Sequence, residues 1–171
     1  KAISDKLISQ ATKILKTDCY NEAYDRPIAT DGTIQLLEYQ EDCINRAKRA
    51  NPSLNIVQGD IRKLPFDANS FDLILDLSTI DHIQPSQMPG VLDEYDRVLQ
   101  KGGKLLLITW FSDYVRTDFP DWNPDSQYYF EPNNFQEELR KRFTIESESF
   151  LFKRGDNVYV ECQLYEFVMT K

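Results

Sequence analysis

Between Phe71 and Leu77 the chain is almost continuously apolar, Phe-Asp-Leu-Ile-Leu-Asp-Leu, and it breaks at Ser78. A run of this kind reads as a strand covered on both faces, the mark of a parallel sheet. Lys104 to Trp110 repeats the pattern, and Thr33 to Glu38 and Asn55 to Gly59 are shorter versions of it. At the N-terminal end Ile3, Leu7, Ile8, Ala11 and Leu15 form a helical stripe, while Ile14-Leu15 can instead open a short first strand ending near Asp18. Glu41 to Ala50 has helical spacing and stops at Asn51-Pro52. Pro89 to Leu99 places Val91, Leu92, Tyr95 and Leu99 on one helical face, with Gly102-Gly103 expected to cap it. Strand and helix therefore alternate, as in an open, doubly wound α/β domain.

The last forty residues change period. Asn133 to Arg142 is helical, then Phe143 to Phe152 and Asn157 to Met169 alternate apolar and polar positions around Arg154-Gly155-Asp156. This predicts a hairpin with a short turn, adding antiparallel strands at one edge of the sheet. Neither an internal repeat nor a low-complexity stretch interrupts the chain, so residues 1–171 read as a single domain.

Composition narrows the function classes. Forty-one per cent hydrophobic and 28 per cent charged residues is ordinary for a globular protein, and a formal charge of −8 argues against nucleic acid or an anionic membrane as partner. Local basic clusters, Arg46, Lys48 and Arg49 and then Arg140, Lys141 and Arg142, sit on helices as solvated faces. No apolar run approaches the ~20 residues of a membrane span, and no secretory signal is visible. Cys19, Cys43 and Cys162 are odd in number and far apart, which fits reduced thiols in a cytoplasmic protein. No pair has metal-ligand spacing and His82 is the only histidine, so no metal site is expected. The chain begins with Lys1, which leaves open whether residues precede it, and the oligomeric state is also open.

In an open α/β sheet a ligand sits beyond the carboxyl ends of the strands, so chemistry is sought just after each one. Glu38 ends the second strand, Asp60 follows the third, and Asp76-Leu77-Ser78 end the central one. As bare residues these also read as a solvated glutamate and a turn aspartate capping Arg62. His82, just past the central strand, is either a general base with an ordinary pKa near 6.5 or an imidazole packed under a ligand. Trp110 to Phe130 is unusually aromatic, with Trp110, Tyr114, Trp122 and Tyr128 among its rings. A connection this long is more often functional than idle, and such walls suit a small, partly apolar molecule.

Gly59-Asp60-Ile61-Arg62-Lys63-Leu64-Pro65-Phe66, Asn69 to Ser78, and Arg97 to Phe111 together resemble the second half of a class I S-adenosylmethionine-dependent methyltransferase of the small-molecule type. The resemblance runs from about Thr33 to Trp110. It implies a Rossmann-like, mainly parallel seven-stranded sheet with an antiparallel C-terminal hairpin, and S-adenosyl-L-methionine as cofactor. It implies further that Glu38, followed by Tyr39, holds the ribose hydroxyls. Asp60 would accept from the adenine amine, with Ile61 against the ring. Backbone carbonyls at Asp76, Leu77 and Ser78 would hold the methionine ammonium. The aromatic stretch, about 111–131, falls where the family places a lid over its methyl acceptor, which assigns Trp110, Tyr114, Trp122 and Tyr128 to an acceptor pocket. The family often has a histidine at the place of His82 without a catalytic duty, so His82 remains a candidate for catalysis on its own chemistry alone. The implied reaction is methyl transfer to an oxygen or nitrogen of a small molecule.

One motif departs from the family. Where an acid and a Gly-x-Gly-x-Gly loop should close the first strand, this chain places Lys16 at the acid and Asp18, Tyr20 and Glu22 at the three glycines. Glycines there let backbone amides approach the ligand with no Cβ in the way. Two acids at those positions would set like charge against the methionine carboxylate, so restoring glycine is expected to tighten cofactor binding. Either the loop takes a different course, using Asn21, Tyr24 or Arg26, or the fold persists as an inactive binding or regulatory module. A nicotinamide dehydrogenase is disfavoured by the same missing glycines.

Overall fold

The computed structural model describes residues 2–24, 27–29, 32–112, 128, 130–155 and 161–171. Its elements are α1 (Ala2–Gln10), β1 (Ile14–Lys16), α2 (Tyr20–Tyr24), β2 (Ile34–Glu38), α3 (Glu41–Ala50), β3 (Asn55–Gln58), β4 (Phe71–Leu77), α4 (Met88–Val98), β5 (Leu99–Ser112), α5 (Pro132–Arg140), β6 (Thr144–Gly155) and β7 (Glu161–Thr170). The seven strands form one sheet in the order β3-β2-β1-β4-β5-β7-β6. β1 to β5 are mutually parallel, and β7 lies antiparallel between β5 and β6. This is the doubly wound α/β sheet with an antiparallel edge that the patterning predicts.

Side chains alternate across the sheet with period two, so each strand feeds two cores. Ile14, Leu36, Leu73, Leu75 and Leu106 face one side, where Cys43 and Ala47 of α3 cover them and Leu7 and Ile8 of α1 pack alongside. Leu15, Leu37, Ile74, Leu105 and Leu107 face the other, against Val91, Leu92 and Tyr95 of α4 and Phe135 and Leu139 of α5. The two-faced burial explains why β4 reads as a continuous apolar run.

Three local expectations change. Gly102-Gly103 do not cap α4, which ends at Val98 with Leu99 already extended. They lie within β5, where the pairing with β4 shifts register between Phe71–Leu99 and Leu73–Lys104. Gly102 has φ +78°, a left-handed conformation that glycine adopts at little cost. The short turn at Arg154-Gly155-Asp156 is also displaced: Gly155 still pairs, with Glu161, so the connection falls at 156–160, outside the described residues. The helical alternative for Ile14-Leu15 yields to a three-residue strand, because both residues are needed to fill the centre of the sheet.

Candidate active site

Strand order reverses between β1 and β4: β1 leads outward to β2 and β3, and β4 outward to β5. A cavity of about 590 Å³ opens at this point, beyond the carboxyl ends of the strands. Its wall takes Thr17, Asp18, Tyr20, Asn21 and Tyr24 from the β1–α2 region, Glu38, Tyr39, Gln40 and Cys43 from β2–α3, Gly59 to Ile61 after β3, and Leu77 to Thr79, His82 and Ile83 after β4.

Glu38 is buried at the end of β2, and both of its oxygens are in use. Oε1 accepts from the Gln40 N–H at 2.9 Å and Oε2 from the Cys19 N–H at 3.1 Å. A carboxylate oxygen has two acceptor sites, so one remains on each. Asp60 caps the turn that follows it, accepting from the Arg62 N–H at 2.8 Å, and its carboxylate also binds the Arg62 guanidinium, at 2.5 Å to Nη2. Burial pushes the Asp60 carboxyl up, but the Arg62 hydrogen bonds and charge outweigh it and hold the pKa below the ordinary range. Asp60 is thus both the turn aspartate and a cavity-lining acid.

The segment without glycines is built around a buried cation. Lys16 is fully buried, and its Nζ lies 2.8 Å from Asp18 Oδ1, 3.0 Å from the Asp18 carbonyl oxygen and 3.0 Å from Glu22 Oε2. The other Glu22 oxygen accepts the Ile28 and Ala29 N–H groups at 3.0 and 2.9 Å. Desolvation alone would lower the lysine pKa, yet Asp18 and then Glu22 reverse this and the net shift is upward. Glu22 is consequently absent from the cavity wall, and the picture of two acids facing a bound carboxylate is corrected. Only Asp18 lines the cavity, with Oδ1 also accepting from the Tyr20 N–H at 2.8 Å and Oδ2 from the Thr79 hydroxyl at 3.3 Å. Tyr20 stacks on Tyr24 at 4.7 Å between centroids, and the Arg46 guanidinium lies 4.4 Å from the Tyr24 centroid, pinning α2 to α3. Of the alternative carboxylate holders, Asn21 and Tyr24 line the cavity, and Arg26 is outside the described residues.

After β4 the backbone turns sharply: Ser78 has φ +68°, a strained value for a residue with a Cβ, and its N–H donates to the Ile108 carbonyl at 2.9 Å. This turn brings Leu77 and Ser78 to the wall, while Asp76, on the same face of β4 as Ile74, points behind it toward Tyr95 of α4. The Asp76 side chain is fully buried, its Oδ1 accepting from Thr79 N–H (2.8 Å) and Ile80 N–H (3.3 Å) and its Oδ2 from the Tyr95 hydroxyl (2.7 Å). Burial pushes its pKa up to about 7 against these stabilising bonds.

The cavity therefore brings together Asp18, Tyr20, Glu38, Tyr39, Asp60, Ile61, Leu77, Ser78 and His82. Asp76 supports the wall from behind. Trp110, half-buried on β5, and Tyr128, 2 per cent exposed with its N–H on the Asp81 carbonyl at 2.6 Å, are not part of it. Tyr114 and Trp122 lie outside the described residues. Thr17, Thr79 and Cys43 line the site without having been singled out, and only a register of the cofactor turn drawn through β1 and β4 together would have found the two threonines. Cys43 also belongs to a cluster that spacing along the chain does not reveal. Cys19, Glu38 and Cys43 come from three elements, yet their ligand atoms all lie within 4.8 Å of one another.

The sequence profile of the methyltransferase domain matches residues 12–107, which span β1 to most of β5 and the whole cavity. The chain belongs to the methyltransferase domain family. Among the curated proteins it is 36 per cent identical over 77 residues to a protein of Encephalitozoon cuniculi described as a methyltransferase, covering 44 per cent of this chain and 36 per cent of that one. It is 34 per cent identical over 88 residues to a fatty-acid O-methyltransferase of Mycolicibacterium smegmatis, covering 50 per cent of this chain and 30 per cent of the other. The chain thus spans about a third of the length of these curated relatives. In structure it is similar to a SAM-dependent methyltransferase of Methanosarcina mazei, with a TM-score of 0.78 at 13 per cent identity, over all of this chain and 97 per cent of the other. The methyl donor of this class I methyltransferase family is S-adenosylmethionine, and the residues present fit it. The cavity has the volume of a cofactor pocket, with two carboxylates on one side, the apolar Ile61 beside them and the Leu77–Ser78 turn opposite. No helix among the described residues is long and apolar enough to cross a membrane.

Proposed function

We propose that this chain binds S-adenosylmethionine in the 590 Å³ cavity and transfers its methyl group to an oxygen or nitrogen of a small molecule. The observation that carries the reading is the convergence of the Glu38 and Asp60 carboxylates on one cavity at the strand-order switch. Glu38 keeps one acceptor site on each oxygen for the two ribose hydroxyls, and Tyr39 follows it at the rim. Asp60 offers its remaining acceptor capacity to the adenine amine, with the buried Ile61 against the ring. The carbonyls at Leu77 and Ser78 would take the methionine ammonium, and Asp18 would add an anionic oxygen on the same side. The Lys16 ammonium offsets the charge of Asp18 and Glu22, so the missing glycines do not leave the pocket with two bare negative charges.

The cofactor supplies an activated sulfonium. What the chain must provide is alignment of the acceptor and exclusion of water, and these account for most of the acceleration in an in-line displacement. His82, on the wall after β4, would take a proton from an acceptor hydroxyl or amine. The aromatic stretch at about 111–131, most of it outside the described residues, remains the proposed place of an acceptor lid within a single domain. A partly apolar acceptor agrees with the aromatic content of that stretch and with the fatty-acid substrate in the name of the M. smegmatis relative.

Calorimetric titration with S-adenosylmethionine and S-adenosylhomocysteine tests the reading. Saturable one-to-one binding of both is expected. A folded chain that binds neither is an inactive methyltransferase-like module, a reading favoured by the one observation that Asp18 and Tyr20 stand where the family keeps glycine.

A further inference from the structure

The floor of the cavity carries a second arrangement that methyl transfer does not use. Cys19 and Cys43 are both free and buried, and their Sγ atoms lie 3.6 Å apart. The two thiols come from the β1–α2 connection and from α3, and the carboxylate of Glu38 from the end of β2 stands with them, all ligand atoms within 4.8 Å. We infer that Cys19, Cys43 and Glu38 form a binding site for a thiophilic divalent cation of the zinc type, with its fourth coordination position open to the cavity.

Geometry, chemistry and access each support this. Two thiolates bound to a tetrahedral zinc at about 2.3 Å stand roughly 3.8 Å apart, so the observed 3.6 Å needs almost no adjustment. A paired sulfur set with one carboxylate suits zinc, whereas magnesium or calcium would require a cage of oxygens. Glu38 retains an acceptor site on each oxygen, and the backbone N–H groups of Cys19 and Gln40 fix its orientation from behind, as supporting hydrogen bonds do in metal centres. Glu38 and Cys43 both line the cavity, so an ion can enter from it and its fourth position would face it. The site is also self-consistent in charge. Binding converts two thiols to thiolates, releases two protons to solvent, and leaves two thiolates and one carboxylate around a divalent ion. Because both thiols must lose a proton to bind, affinity rises with pH.

The same carboxylate serves the ribose in the proposed function. A bound cation and the cofactor would therefore exclude one another through Glu38, a consequence that rests on that reading; the site itself does not.

The test is an anaerobic titration of the reduced full chain with Co2+, followed by displacement with Zn2+. One ion per chain is expected, with a thiolate-to-cobalt charge-transfer band, the visible bands of tetrahedral Co2+, and release of two protons per ion. Cys162→Ser should leave all of this unchanged. Cys19→Ser and Cys43→Ser should each weaken binding at least a hundredfold, and Glu38→Gln at least tenfold. Absence of the charge-transfer band in the parent at excess Co2+, or its persistence in Cys43→Ser, overturns the assignment. If a serine variant does not fold, the parent's proton count and charge-transfer band decide alone. The titration contains no cofactor, so it stands or falls apart from the methyltransferase reading; competition with S-adenosylmethionine is measured afterwards.

Discussion

The Lys16 ammonium and the Glu22 carboxylate meet at 3.0 Å with neither side chain exposed to solvent. Breaking a buried pair by removing one partner leaves the other charged and uncompensated, which typically costs about 3–5 kcal/mol. Lys16→Met is therefore expected to destabilise the fold by that order. Lys16→Met with Glu22→Gln should recover most of the loss, since the amide oxygen can still accept from Ile28 and Ala29. Denaturant unfolding of the two single variants and the double variant measures the coupling. Additive costs would show that the two side chains do not act as a pair.

The same network reverses an expectation drawn from the sequence. Restoring glycine at 18, 20 and 22 was expected to tighten cofactor binding by removing like charge. In the fold it would strip both anionic partners from the fully buried Lys16. The triple variant should lose stability and, with it, affinity for S-adenosylmethionine. A variant as stable as the parent that binds more tightly would restore the charge-repulsion argument.

Asp76 carries a pH dependence. Its carboxyl has a pKa of about 7 in the fold against an ordinary 3.8, first because it is fully buried, and Asp81 adds to the rise while Tyr95 and the amides of Thr79 and Ile80 oppose it. The folded state thus holds a proton that the unfolded chain releases. Stability falls as pH rises from about 4 and levels off above 7, by on the order of 4 kcal/mol at most. Asp76→Asn removes this titration and keeps the acceptor for Thr79 and Ile80. The variant should gain relative to the parent across that window, and a stability difference independent of pH would rule out the shift.

Much of this was legible along the chain, for reasons that differ by element. β4 announced itself because burial on both faces demands an unbroken apolar run. Glu41 to Ala50 was bounded by its own stop at Asn51-Pro52. Glu38 and Asp60 could be singled out because a position just after a strand in an open sheet is a functional address. The hidden part depended on side-chain direction. Glu22 and Asp76 occupy the right stretches of chain, but a helical turn points one inward to Lys16 and the alternation of β4 turns the other toward Tyr95 behind the wall. The Cys19–Glu38–Cys43 cluster has no spacing signature, because sheet pairing rather than sequence proximity assembles it.

Tyr128 separates packing from acceptor binding. Its ring is 2 per cent exposed and its backbone is tied to Asp81, so Tyr128→Ala is expected to cost about 3–5 kcal/mol of stability, as large aromatic truncations in cores do. Thermal unfolding with and without S-adenosylmethionine reads this directly. A variant of parental stability that has lost only acceptor turnover would return Tyr128 to the lid.

Glu38 and Asp60 should differ in what they contribute to cofactor affinity. Losing a hydrogen bond to a charged acceptor costs roughly 1–3 kcal/mol, a factor of about 5 to 150 in Kd. Glu38 spends one acceptor site of each oxygen on a backbone N–H and keeps the other, whereas three donors of Arg62, the N–H, Nε and Nη2, already compete for the Asp60 carboxylate. Arg62 also keeps Asp60 ionised well below neutral pH, so its charge does not change in the working range. Glu38→Gln and Asp60→Asn are suitable variants because each retains an acceptor oxygen for the local backbone bonds and so separates ligand contact from folding. Both should weaken S-adenosylmethionine binding, with Glu38→Gln the more damaging. Calorimetry on chains of verified stability decides the order. A larger loss in Asp60→Asn would mean that Arg62 swings away when the ligand arrives, and unchanged affinity in both would remove these two carboxylates from the site.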